Sequence, residues 1–171
     1  MSDLDSDQAL IARANRGDAL AFEQLYLRYR DWVVEVAYRF VGDRDDALDV
    51  LQDTFAYLFG RFPGFTLTAQ LTTFLYPVIK HRCLDRIRKR RPTVDIDDLE
   101  EILPAPPAAA PAGDVHRRLH TLPAQQREVL LLRFVDDLSL QQIADALDVP
   151  LGTVKSRLHH ALQALKKSAQ R

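Results

Sequence analysis

The stretch from Leu138 to Lys167 constrains the chain more than any other. Its first part places Ile143, Ala144 and Leu147 at helical spacing behind Ser139, a residue type that caps helix N-termini. Asp148-Val149-Pro150 interrupts the pattern, and Val154, Leu158, Ala161, Leu162 and Leu165 resume it at intervals of three and four. Two helices joined by so short a break predict a helix-turn-helix. On its second helix the apolar set leaves Thr153, Lys155, Ser156, Arg157, His159 and His160 on the other sides. These are hydroxyl, ammonium, guanidinium and imidazole groups of the kind that meet base edges and phosphates in a major groove. A small helical bundle with a solvated basic face fits the same stretch.

The rest of the chain has to supply a core, and it can. Of 171 residues, 47% are hydrophobic, which excludes a disordered polymer and allows one domain or two small ones. A single cysteine, Cys83, excludes an internal disulfide framework and a multi-thiolate zinc site, so a reducing cytosol is the expected setting. No apolar run approaches the roughly 20 residues that span a bilayer, and the start, Met-Ser-Asp-Leu-Asp-Ser-Asp, is acidic where a signal peptide is basic. Net charge is only -1, so the local blocks of charge carry the information.

Those blocks appear in order. Ser6 or Asp7 can cap a first helix carrying Leu10, Ile11 and Ala14, which ends at Gly17; Asp18 stands where the next cap belongs. A long second helix follows, with Phe22, Leu25, Tyr26, Tyr29, Val33, Val36, Ala37 and Phe40 on one stripe and Trp32 at its edge. Asp43 opens a third helix whose inward stripe is Ala47, Leu51, Thr54, Phe55, Leu58 and Phe62. Asp46, Asp49 and Asp53 repeat on its opposite side. An acidic row repels itself, and Asp53 lies too far along for the helix dipole to offset it, so the row fits either a basic partner surface or an ordinary solvated face.

Pro63 and Gly64 break the pattern, and residues 63–70 read as a loop exposing Phe65 and several hydrogen-bonding side chains. Leu71 to Arg91 is helical by pattern, with Pro77 inside it. A proline there removes an amide donor at a cost of about 3 kcal/mol, which predicts a kink or a helix start. The second half is densely cationic: Lys80, Arg82, Arg86, Arg88, Lys89, Arg90 and Arg91 against Asp85 alone, a footprint suited to phosphates. Residues 92–113 are acidic and then rich in Pro and Ala, a linker by composition. The reading is therefore all-α: a helical domain over 1–91, a flexible linker over 92–113, and a second domain over 114–171. That second domain opens with Val115 to His120 and a helix beginning near Pro123, and it ends in the helix-turn-helix.

In order and spacing, the two domains resemble a bacterial sigma-70 family sigma factor of the small extracytoplasmic-function group, which keeps only the second and fourth conserved regions. In the first domain the resemblance is carried by Ala21-Phe22-Glu23-Gln24-Leu25-Tyr26 with Tyr29, by Gly42-Asp43, Asp46-Ala47, Asp49, Gln52-Asp53 and Phe55, and by Phe74-Leu75-Tyr76 with Leu84-Asp85-Arg86-Ile87-Arg88. In the second it is carried by Leu122-Pro123, Arg127-Glu128-Val129, Leu132-Arg133, Ser139, Ile143-Ala144, Leu147 and Gly152 through Leu158.

The resemblance implies that Asp46, Asp49, Gln52 and Asp53 bind the clamp helices of the largest subunit of core RNA polymerase. It implies that the loop with Phe65, Thr66, Thr68 and Gln70 reads the minus-10 promoter element and holds a flipped base. Lys80, His81, Arg82, Arg86, Arg88 and Lys89 would hold the adjoining phosphates and help open the strands, and Thr153, Lys155, Ser156, Arg157, His159 and His160 would contact the minus-35 element. The acidic linker would run toward the RNA exit path, and an anti-sigma factor is a further implied partner. Phe74 stands where the family often has Trp, Pro77 and His160 where it often has Arg, and the loop Gly64–Gln70 lacks a charge common there.

A stand-alone regulator, with an N-terminal sensing or dimerisation domain, would show the same helix-turn-helix. It leaves the acidic and basic helices of the first domain unexplained, and it predicts tight duplex binding without polymerase. An enzyme fits less well. His116 and His120 have ligand spacing but no acid that completes a metalloprotease motif, His81 and Cys83 point to different sides of a helix, and no phosphate-cradling glycine loop is present, so neither a cofactor nor a catalytic residue is expected.

Overall fold

The computed structural model describes residues 6–91 and 114–169, so the expected linker over 92–113 lies outside the described residues. All regular structure among the described residues is α-helical, as expected. The first group comprises α1 (Asp7–Ala14), α2 (Ala19–Val41), α3 (Arg44–Phe59) and α4 (Leu71–Arg90). The second comprises α5 (Asp114–His120), α6 (Ala124–Phe134), α7 (Leu140–Leu147) and α8 (Leu151–Ala169).

The caps fall on the acids and hydroxyls that the sequence singles out. Ser6 accepts from the Ala9 amide, Asp18 from Leu20 and Ala21, and Asp43 from Asp46, each satisfying donors that a helix start leaves open. The Arg13 side chain lies 2.8 Å from Asp18 and, with the capped amides, lowers the Asp18 pKa. Gly42 ends α2 in the left-handed region, at φ 68°, where a side chain would be strained. The stripes of α2, α3 and α4 close on one another through Leu25, Val33, Ala37, Leu51, Leu58, Leu75 and Ile79, all buried. Each fully buried leucine contributes about 1.5–3 kcal/mol to holding these helices together.

Pro77 neither starts nor stops a helix. It sits exposed within a continuous α4, flanked by the buried Tyr76 and Ile79, whose packing holds the helix through the missing hydrogen bond. Within the second group, α7 is fixed by a capping box: Ser139 accepts from the Gln142 amide and the Gln142 side chain accepts from the Ser139 amide at 2.6 Å. Asp148, with φ 52°, turns the chain into α8. Val154 and Ala161 anchor α8, but Leu162 is 45% exposed and stands outside the expected buried stripe. Nineteen residues against a short α7 and α6 leave part of its apolar side uncovered.

The two groups do not stand apart. Leu138, Ile143 and Ala146 of the second continue the apolar core of the first, with α7 laid on α4. Polar groups bury along the same seam. The Arg39 side chain, 4% exposed, reaches Asp136 Oδ1 at 2.6 Å, and the Trp32 indole donates to the same oxygen at 3.1 Å. The buried Tyr76 hydroxyl donates to Glu128 Oε1 at 2.7 Å, and Lys80 Nζ meets that oxygen at 2.8 Å. Burial, then the neighbouring Glu128 carboxylate, raises the Tyr76 pKa well above the usual phenol value.

Candidate functional site

Three surfaces carry the expected chemistry. The first is the acidic side of α3. Asp49 and Asp53 are each 52% exposed, and Gln52 is exposed beside them. Asp46 differs. It is buried to 6% and paired with Arg90 at 2.5 Å and Arg86 at 3.5 Å, so it does not belong to the free face that its spacing predicts. Arg86 also reaches Asp49 at 3.0 Å and Asp53 at 3.8 Å. The cationic face of α4 therefore offsets the repulsion of the acidic row from within the same domain, and Arg82 and Lys89 line the cleft between the two helices.

That pairing changes the reading of α4. Arg86 is engaged by three carboxylates, Lys80 is held by Glu128, and His81 and Arg88 both lie near Asp85, at 3.3 and 3.4 Å. Arg82 is half-buried and Lys89 is exposed. The acids that engage Lys80, His81, Arg86, Arg88 and Arg90 come from α3 and α6 as well as from α4 itself.

The second surface is the 60–70 loop. Phe65, expected at the surface, is 6% exposed, its ring 5.3 Å from Phe62 and 4.9 Å from Phe74. The apolar ring folds back into an aromatic cluster that also holds Phe22 and Phe59, because burying it outweighs leaving it in water. Its burial leaves a concavity of about 670 Å³ lined by the loop from Gly64 to Ala69, with Thr73 and Phe74 of α4, Arg61, and Asp145 of α7. Thr66 and Thr68 stand exposed at its wall, and Gln70 is exposed at the start of α4, where its side chain makes no cap. An apolar floor with hydroxyls around it can stack and hydrogen-bond a planar polar ring.

The third surface is the start of α8. Lys155, Ser156, His159 and His160 are exposed, and Thr153 and Arg157 are half-buried on its flanks, a donor-rich face on a helix held from behind by Val154. The His159 and His160 rings lie edge to face, 5.8 Å apart.

Two family profiles match the chain, Sigma-70 region 2 over residues 25–93 and Sigma-70, region 4 over residues 112–165. The chain is 31% identical over 183 aligned residues to the RNA polymerase sigma-H factor of Pseudomonas aeruginosa, covering 97% of this chain and 95% of that protein. It belongs to the sigma-70 family. A second relative, the ECF RNA polymerase sigma factor SigW of Bacillus subtilis, is 28% identical across 92% of this chain and 93% of its own length, and the chain falls in the same extracytoplasmic-function group. Its fold is that of CnrH, solved in complex with the cytosolic domain of CnrY, at a TM-score of 0.71 and 24% identity over 97% of this chain and 98% of that one. As a sigma factor the chain acts in promoter-directed initiation of transcription with RNA polymerase, and the stand-alone regulator is not favoured.

Several residues of this sigma factor escape a reading by periodicity. Arg39 and Glu128 interrupt apolar stripes, the one sign of burial that they carry; Asp136 sits in a turn and gives none. Asn15, from the turn after α1, hydrogen-bonds the 60–70 loop across fifty positions, which no local pattern reveals.

Proposed function

We propose that this sigma factor uses α1 to α4 (residues 1–91) to bind core RNA polymerase and the minus-10 element, and α5 to α8 (residues 114–171) to bind the minus-35 element. Asp49, Gln52 and Asp53 would form the polymerase contact, while Asp46 orders Arg86 and Arg90 behind them. The cavity of Thr66 and Thr68 would take an unpaired base, which returns part of the few kcal/mol that unpairing costs. Of the α4 cations, Arg82 and Lys89 would be the first to reach phosphates, and Lys80, His81, Arg86 and Arg88 would do so after leaving their acids. The face of Thr153, Lys155, Ser156, Arg157, His159 and His160 would enter the major groove. Nothing in this role requires a catalytic residue of the sigma factor itself, since bond formation belongs to the polymerase, and the setting would be the cytoplasm.

The observation that carries the reading is the presence on one chain of an exposed acidic helix face and an exposed donor-rich recognition helix within the two matched sigma regions. Two solved structures of similar fold are complexes, CnrH with the cytosolic domain of CnrY and RpoE of Bartonella quintana with the anti-sigma factor NepR. An anti-sigma protein is the corresponding regulator proposed for this chain. The test is transcription by bacterial core polymerase from a promoter library, with the wild-type chain and with Asp49→Ala/Asp53→Ala. Initiation that depends on the chain and is lost in the double variant supports the reading. Tight duplex binding without polymerase, and no initiation, refutes it.

A further inference from the structure

The residue that shapes the 60–70 loop lies outside both the loop and the matched sigma regions. Asn15 terminates α1, its amide bonded to Ile11 O, in a turn braced by the Arg13–Asp18 pair. From there its side-chain oxygen accepts from the amides of Gly64 at 2.7 Å and Phe65 at 3.0 Å, and its side-chain nitrogen donates to Phe65 O at 2.8 Å. One carboxamide thus takes both backbone groups of Phe65, as a neighbouring strand would. Gly64, at φ 99°, supplies the turn that aims its own amide at the same oxygen.

We infer that Asn15 is a positioning residue for minus-10 recognition: it sets the backbone at Phe65, and through it the wall of Thr66 and Thr68 that receives the base. The inference rests on the proposed use of this cavity. The chemistry selects the residue type closely. Aspartate accepts from both amides but turns a carboxylate oxygen toward Phe65 O, glutamine is one methylene too long, and alanine makes none of the three bonds. The Phe65 ring stays packed between Phe62 and Phe74 in every case, so the fold persists while the loop backbone loosens.

The experiment compares the full-length wild type with Asn15→Ala and Asn15→Asp, each reconstituted with core polymerase, on promoters differing only in the minus-10 element. Both variants should lose about tenfold in strand opening, the equivalent of one to two net hydrogen bonds, and should flatten discrimination among minus-10 sequences. Core affinity and dependence on the minus-35 element should stay at wild-type levels, which a general folding defect would not allow. Hydrogen exchange on the wild type gives an arm independent of the variants: the Gly64 and Phe65 amides should be protected relative to Thr66. Wild-type discrimination in Asn15→Asp, or unprotected amides at both positions, overturns the inference while leaving the proposed function intact. Silence of the wild type on every promoter overturns the proposed function and this inference with it.

Discussion

Removing the Asp136 carboxylate should separate the two helical groups. In the wild type the Arg39 guanidinium is 4% exposed and its charge is met by Asp136 Oδ1 at 2.6 Å, with the Trp32 indole on the same oxygen. Asp136→Ala leaves that cation buried with only the Glu35 carbonyl at 3.4 Å and no opposite charge, a loss of about 3–5 kcal/mol for a desolvated pair. The indole loses its acceptor as well, about 1 kcal/mol more. The chain can avoid the whole cost by undocking and hydrating Arg39, so the change should appear in the docking equilibrium before it appears in the folding of either group. A shift of 3–5 kcal/mol changes the ratio of closed to open molecules by between about a hundredfold and a few thousandfold. Fluorophores at the exposed positions Glu23 and Gln163 would report it by single-molecule energy transfer. Arg39→Met/Asp136→Leu, which removes both charges and retains apolar volume, should recover most of the closed population. An unchanged closed fraction in Asp136→Ala, or a double variant as open as the single one, would refute the argument.

Glu128 should show a graded response in urea unfolding. Glu128→Gln keeps an acceptor for the buried Tyr76 hydroxyl and should cost about 1 kcal/mol, whereas Glu128→Leu strands it and should cost about 3 kcal/mol; equal losses would contradict this. Arg157→Ala should weaken holoenzyme binding to minus-35 duplexes of every sequence and reduce the salt slope by about 1, and loss of affinity for one sequence alone would make Arg157 a base reader instead. Burial pushes the Cys83 thiol up from 9.0 to about 12, so between these values the unfolded chain releases a proton that the folded chain keeps. Stability should therefore fall as pH rises through that window, and Cys83→Ala should remove that part of the slope; identical alkaline slopes would overturn the assignment.

What the sequence revealed was periodic or local. Stripes such as Leu25, Val33 and Ala37 locate the core because a helix repeats every 3.6 residues, and Ser139 with Gln142 announces α7 because a cap needs only its own turn. Pairings between elements were not legible. Asp46 and Asp49 look alike along α3, yet only Asp46 is turned beneath Arg90, a difference fixed by where α4 packs. Phe65 looked exposed because a loop carries no stripe to assign it a side, and its burial depends on contacts with Phe62 and with Phe74 of α4. Pro77 reads as a kink or a helix start because propensity is local, while the packing of Tyr76 and Ile79 that carries α4 past it is not.

The docking of α7 on α4 sets a limit on reach. Elements centred at minus-10 and minus-35 lie about 25 base pairs apart, roughly 85 Å along the duplex. A compact body of 171 residues has a radius of gyration near 15.5 Å and a diameter of about 40 Å. The closed shape cannot touch both elements at once, and it also sets Asp145 of α7, an anion, at the cavity proposed to receive the base. Promoter affinity on this reading equals the intrinsic affinity multiplied by the fraction of molecules that are open, so each tenfold preference for the closed form weakens it about tenfold. Arg39 and Asp136 then act as a gain setting: substitutions there would change how much of the sigma factor competes for promoters, without altering any residue assigned to contact DNA or polymerase.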